Sequence, residues 1–156
     1  MELSHITFQG PAIDDFEVLE QLPNCLSGLL CTLNGFIQFG GGLHVRGACV
    51  GPHWHSLRNV WHGPNAFFNQ YASVDPNWIP FAEDCVGDQF FIENKDVLRL
   101  SAETGDVESL GLNLSEFLGH ANANPVEFLS LEPLMQFQQE QGSMQPGQLI
   151  HAYPPF

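Results

Sequence analysis

The stretch "WIPFAEDCVGDQFFIENKDVLRLSAETGDVE", residues 78–108, decides how this chain is read. Strand-like runs at Trp78–Phe81, Gln89–Ile92 and Val97–Leu100, with a fourth at Val107–Leu110, are separated by turn formers. These are Val86-Gly87-Asp88, Asn94-Lys95-Asp96 and Glu103-Thr104-Gly105-Asp106. Short β-rich runs joined by Gly, Asn and Asp turns predict an antiparallel meander.

Upstream, Phe36–Phe39 and Leu43–Arg46 alternate around Gly40-Gly41-Gly42 and predict a further hairpin. Two helices precede it. Asp14 to Leu22 carries acids in its first turn and Phe16, Leu19 and Leu22 at helical spacing, and Pro23 ends it. Asn24 is placed to cap a second helix through Leu33, stopped by Asn34-Gly35. From Gly51 to Tyr71 the chain is aromatic, His-rich and broken by Pro52 and Pro64, so it reads as loop with a short helix at Asn65–Tyr71.

Downstream, helical spacing returns at Leu114–His120, with Ser115 near the cap position, and at Val126–Gln139, with a bend at Pro133. In the latter, Phe128, Leu131, Leu134, Met135 and Phe137 are expected to face a core. Gly142 to Phe156 reads as a tail held by Leu149, Ile150, Tyr153 and Phe156. The expected fold class is α+β: a single domain over residues 1–156 with a central antiparallel sheet flanked by N- and C-terminal helices.

A chain of 156 residues with 44% hydrophobic content has the composition of one globular domain. Four Lys and Arg against eighteen Asp and Glu give a charge of −14, which repels phosphate backbones and anionic lipid, so neither nucleic acid nor membrane is an expected partner. The first residues carry no basic and apolar leader pattern, and no run approaches the roughly 18 apolar residues of a membrane span, so a cytoplasmic protein is expected. Cys25, Cys31, Cys49 and Cys85 include no C-x-x-C pair and read as reduced core thiols. The charge is uneven: Gln21 to Val74 lacks Asp and Glu altogether but holds Arg46, Arg58, His44, His53, His55 and His62.

His53-Trp54-His55 with His62 is the metal candidate, because i and i+2 on an extended segment share a side. No fourth ligand stands at a familiar spacing, so the expectation is no metal and no cofactor. Glu83, Asp84 and Asp88 offer carboxylates for a cation or for acid–base work. They do not follow the alternating ligand order of a calcium loop, and no Lys or His of catalytic kind stands close in sequence. Asp84 and Asp88 are better explained as acceptors for turn amides around Gly87. There is no G-x-S-x-G nucleophile elbow, and Gly40-Gly41-Gly42 lacks the Lys-Ser/Thr of a phosphate loop. The chain is not expected to be an enzyme.

Two segments carry a resemblance. "LPNCLSGLLCTLNGF" resembles the helix-ending Asn-Gly segment of the SUKH superfamily, and "WIPFAEDCVGDQFFIE" its Pro-Phe-x-x-Asp-x-x-Gly-Asp-x-Phe hallmark. "LSAETGDVESLG" resembles the strand-turn-strand that follows, so the likeness spans roughly Phe16 to Leu118. The matching positions are Leu22, Pro23, Asn34, Gly35, Ile79, Pro80, Phe81, Asp84, Gly87, Asp88 and Phe90. The resemblance implies an α+β domain without a catalytic constellation. It also implies a protein partner, either as a bacterial immunity protein that neutralises a toxin or as an intracellular regulatory or scaffolding protein of the Smi/Knr type. An acidic domain suits capture of a basic toxin domain. Partner contacts are expected at Glu83, Asp84, Asp88, Glu103 and Asp106.

Overall fold

A computed structural model describes residues 2–150. Seven strands form one antiparallel sheet in sequence order: β1 (Ile6–Gln9), β2 (Phe36–Gln38), β3 (Leu43–Val45), β4 (Ile79–Asp84), β5 (Gln89–Glu93), β6 (Asp96–Leu100) and β7 (Val107–Ser109). The helices α1 (Phe16–Glu20) and α2 (Asn24–Thr32) fill the β1–β2 connection. The β3–β4 connection holds a 3-10 turn (His53–His55), α3 (Leu57–Trp61) and α4 (Phe67–Gln70). The chain closes with α5 (Leu114–Ala123), α6 (Pro125–Phe128) and α7 (Glu132–Gln141).

The central strands are buried on both faces, because successive side chains point to opposite sides and both sides are covered. On one side Phe36, Leu43, Val45, Phe90 and Val97 join Leu26 and Leu30 of α2, Phe117 of α5 and Leu134 of α7 in the main core. On the other, Phe91, Leu98 and Leu100 pack with Val74, Phe67, Phe68 and Tyr71. Pro80 has no N–H for the ladder, and the β4–β5 register shifts between Ile79 and Ala82, where it lies. Phe81 then meets Phe117 edge-on at 5.5 Å.

Several boundaries move. β1 was not expected, although Ile6 and Phe8 alternate with Thr7 and Gln9 and are the more buried of the four. The Pro23 carbonyl accepts from both Leu26 and Ser27 N–H, so α2 starts at Asn24, which is in the helix and not its cap. Asn113, not Ser115, caps α5: its side chain accepts from Glu116 N–H while Glu116 accepts from Asn113 N–H. The expected 126–139 helix is broken at Ser130, which takes φ +53°. Pro133 then falls in the first turn of α7, where its missing N–H leaves no intrahelical bond unmade. Met135 faces solvent and not the core. Leu57–Trp61, read as loop, is helical. None of the four thiols is bonded to another, but only Cys49 and Cys85 are buried; Cys25 and Cys31 are exposed on α2. Tyr153 and Phe156 lie outside the described residues. Among those residues, no helix is long and apolar enough to cross a membrane.

Candidate functional site

The β3–β4 register sets His44 directly opposite Glu83, and the β4–β5 register sets Glu83 opposite Gln89. Three polar side chains therefore stand on one face in a row. Arg46, two residues beyond His44, shares that face. Its Nη2 donates to Glu83 Oε1 at 3.0 Å and to Gln89 Oε1 at 2.7 Å, and its Nη1 donates to the Pro80 carbonyl at 2.8 Å. Gln89 Nε2 donates in turn to Glu83 Oε1 at 3.1 Å and to the Gly87 carbonyl at 2.8 Å. The Arg46 guanidinium also lies 5.5 Å from the centre of the Phe67 ring, which covers it from the helical side.

The 3-10 turn delivers His55 into this row. His44 Nδ1 stands 3.1 Å from Glu83 Oε2, His44 Nε2 2.8 Å from His55 Nδ1, and His55 Nε2 2.9 Å from the Asn34 carbonyl. Asn34 is itself fixed: its amide donates to the Pro11 carbonyl at 2.9 Å, and its side-chain oxygen accepts from Ala48 N–H at 2.7 Å. Gly35 follows with φ +78°, ending the α2 connection where only glycine is comfortable.

Burial opposes ionisation of Glu83, but Arg46 and His44 more than offset it and hold the carboxyl down at about 2. Burial pushes the His44 imidazole below its ordinary value against the pull of Glu83. His55 is pushed to about 4 by burial, with the Asn34 hydrogen bond opposing.

A second carboxylate group lies on the opposite face. Asp84 Oδ1 accepts from Val86 N–H at 3.1 Å and Asp88 N–H at 3.0 Å, closing the turn at Gly87 as the sequence predicts. Asp88 instead accepts from Ala102 N–H at 3.0 Å, tying the β4–β5 turn to the β6–β7 loop. Arg99 Nη2 lies 2.8 Å from Asp88 Oδ2 and 3.3 Å from Asp84 Oδ2. Burial, then the neighbouring Asp88, push Asp84 up to about 7.

The five expected contact acids thus separate. Asp84 is 1% exposed and Glu83 is enclosed by Arg46, His44 and Gln89, so neither offers a free carboxylate to a partner. Asp88 is partly exposed but paired with Arg99, while Glu103 and Asp106 are exposed on the β6–β7 loop. The metal candidates are not brought together. Residues 53–55 form a tight 3-10 turn, so the extended i, i+2 geometry does not apply. His53 is exposed, His55 is buried against His44, and His62 stacks on Trp61 at 4.1 Å and meets Gln21 Oε1 at 2.8 Å. Among the described residues, no group of three His, Cys, Asp or Glu side chains converges to hold a metal ion.

Sequence reading placed no histidine beside the carboxylates, yet His44 touches Glu83 from 39 positions away. The available signal was the alternation His44-Val45-Arg46, two polar residues on one side of a short strand. His44, Glu83 and Asp84 also line a cavity of about 300 Å³ shared with Thr7, Gly41 and residues 143–149. That closing segment is pinned by Ile150 N–H, which donates to the Cys85 carbonyl at 2.7 Å, and by buried Met144. Among the described residues no nucleophile aligns with the His44–Glu83 pair, and all the hydrogen-bonding atoms of that pair are occupied within the protein. Comparison with protein-family models, with curated proteins and with solved structures gave no match.

Proposed function

We propose that this chain is a non-enzymatic protein-binding domain of SUKH-like fold that acts as an immunity protein, capturing a basic toxin domain. The observation that carries the reading is how the charges divide. Arg46, Arg58 and Arg99 are each engaged by carboxylates of the chain itself, which leaves Lys95 as the one cation outside an ion pair among the described residues. Of the eighteen Asp and Glu residues, Asp15, Glu17, Glu83, Asp84 and Asp88 pair with those arginines; the other thirteen are all exposed. Three of the four basic residues are committed to carboxylates of the chain itself and the outer field is negative, which steers a cationic protein toward it and repels polyanions.

Glu103, Asp106 and Glu108 stand together on the β6–β7 loop and β7, beside a sheet edge that no further strand of the described residues covers. They are the acids we assign to first contact. Partner capture is tested by co-expression with the toxin gene nearest to this one, followed by pull-down at low and high salt. Growth rescue and a complex weakened by salt are expected. Loss of affinity on Glu103→Lys and Asp106→Lys together places the contact on this loop. No rescue and no complex with any neighbouring gene product overturns the reading.

A further inference from the structure

Glu83, His44, His55 and the Asn34 carbonyl form a single file that ends on an acceptor at each end. The file has three links, of 3.1, 2.8 and 2.9 Å. A carboxylate and a carbonyl only accept, and a neutral imidazole offers one donor and one acceptor nitrogen. Three links need three protons, whereas two neutral imidazoles supply two. Whichever tautomers they adopt, one link becomes two lone pairs facing each other.

The His55 ring has no room to step back from such a contact. A Cβ at Gly10 or Gly35 would lie 2.5 Å from His55 Nε2, and one at Gly47 would lie 2.8 Å from it. Three glycines clear the space this ring occupies. Gly47 further pins the turn, its N–H donating to the His55 carbonyl and its carbonyl accepting from Leu57 N–H. Phe8 and Trp54 close the sides, with ring centres 5.1 and 5.6 Å from His55.

We infer that the Glu83–His44–His55 file holds a third proton, shared between the two imidazoles, and so acts as a proton-sensitive latch joining the His53–His55 turn to the β3–β4 hairpin. Among the described residues, the charged groups around it are Arg46 from the end of β3 and Glu83 and Asp84 from β4; His53 on the same turn is exposed. Thr7 and Phe8 of β1, Gln89 of β5, Phe67 of α4 and residues 143–149 bring no charge. Burial and Arg46 favour loss of the proton and, acting on each ring singly, draw His55 down to about 4; Glu83, the Asn34 carbonyl and the 2.8 Å contact between the two rings, which only a proton makes attractive, favour its retention. A site held between opposing pulls of this kind responds to pH, and loss of the shared proton leaves a repulsive contact that only movement of the turn relieves. Trp54 transmits that movement outward: its ring centre is 5.4 Å from His44, and a Cβ at Gly147 would come 2.7 Å from its indole.

The inference is independent of the toxin-binding reading and is tested on the whole chain alone. Long-range proton–nitrogen NMR of the labelled protein near pH 7 counts the ring-bound protons of His44 and His55. Three are expected, one of them exchange-protected, with both rings changing together in one step as pH is raised. Two ring-bound protons, with each ring a single neutral tautomer, overturn the inference. Glu83→Gln provides a second measurement, since an amide at this position can donate to His44 Nδ1 and complete the file with two imidazole protons. Loss of the third proton in this variant supports the proposal, and its persistence in a folded variant overturns it. If the variant unfolds, the wild-type count decides.

Discussion

Arg46 Nη2 lies 3.0 Å from Glu83 Oε1 with both side chains withdrawn from solvent, the one arginine of this chain that is wholly internal. Such a pair is weak evidence for stability as a whole but costly to break, because removing one partner strands the other charge. Arg46→Met is therefore expected to lose about 3–5 kcal/mol in urea denaturation. Adding Glu83→Gln to it should recover part of that loss, since the stranded carboxylate is then gone.

Asp84 gives stability a pH dependence of defined sign. Its folded value of about 7 lies above the ordinary 3.8, so the folded protein holds this proton more tightly than the unfolded chain. The contribution is complete below about pH 4 and is lost as pH rises through about 7. Asp84→Asn keeps the acceptor for Val86 and Asp88 N–H and removes the ionisation, and Arg99 retains Asp88. The stability of the variant relative to wild type, read by urea denaturation at intervals from about pH 4 to 8, should rise by a few kcal/mol across that window.

Two glycines should respond to alanine with opposite signs. A Cβ at Gly47 would stand 2.5 Å from the Asn34 carbonyl oxygen and 2.8 Å from His55 Nε2, so Gly47→Ala should cost about 1–3 kcal/mol by overpacking. Gly28 is exposed within α2 with nothing within 4 Å of its Cβ position. Gly28→Ala should gain about 0.5–1 kcal/mol from helix propensity. Thermal melts of the two variants check the pair together.

Asn113 and Glu116 bond each other's backbone at the start of α5, at 2.8 and 3.0 Å. Asn113→Ala should cost about 1 kcal/mol, and Asn113→Asp, which keeps the acceptor, should cost little. Because Phe117 of α5 sits among Phe81, Phe90 and Phe128, fraying from Asn113→Ala should also show as faster amide exchange along α5.

The sequence by itself determined the order and kind of most elements. The β4–β7 meander, the β2–β3 hairpin and the two helices before it are written in local signals: alternation, turn residues, and the Asn34-Gly35 stop. These act over a few residues and so survive being read one segment at a time. Where local signals were short or equivocal, as in the four residues of β1 or the aromatic stretch before α4, long-range pairing and packing decided the structure. The same division explains the candidate sites. Asp84's turn bonds were legible because donor and acceptor lie two to four residues apart. The partners of Glu83 were not, because Arg46 and His44 reach it through the register of β3 against β4, and His55 reaches His44 across a connection folded back over the sheet. Net charge was likewise plain from composition, but which carboxylates face a partner was not. That depends on which ones the three arginines draw in and neutralise, and only the tertiary structure sets those distances.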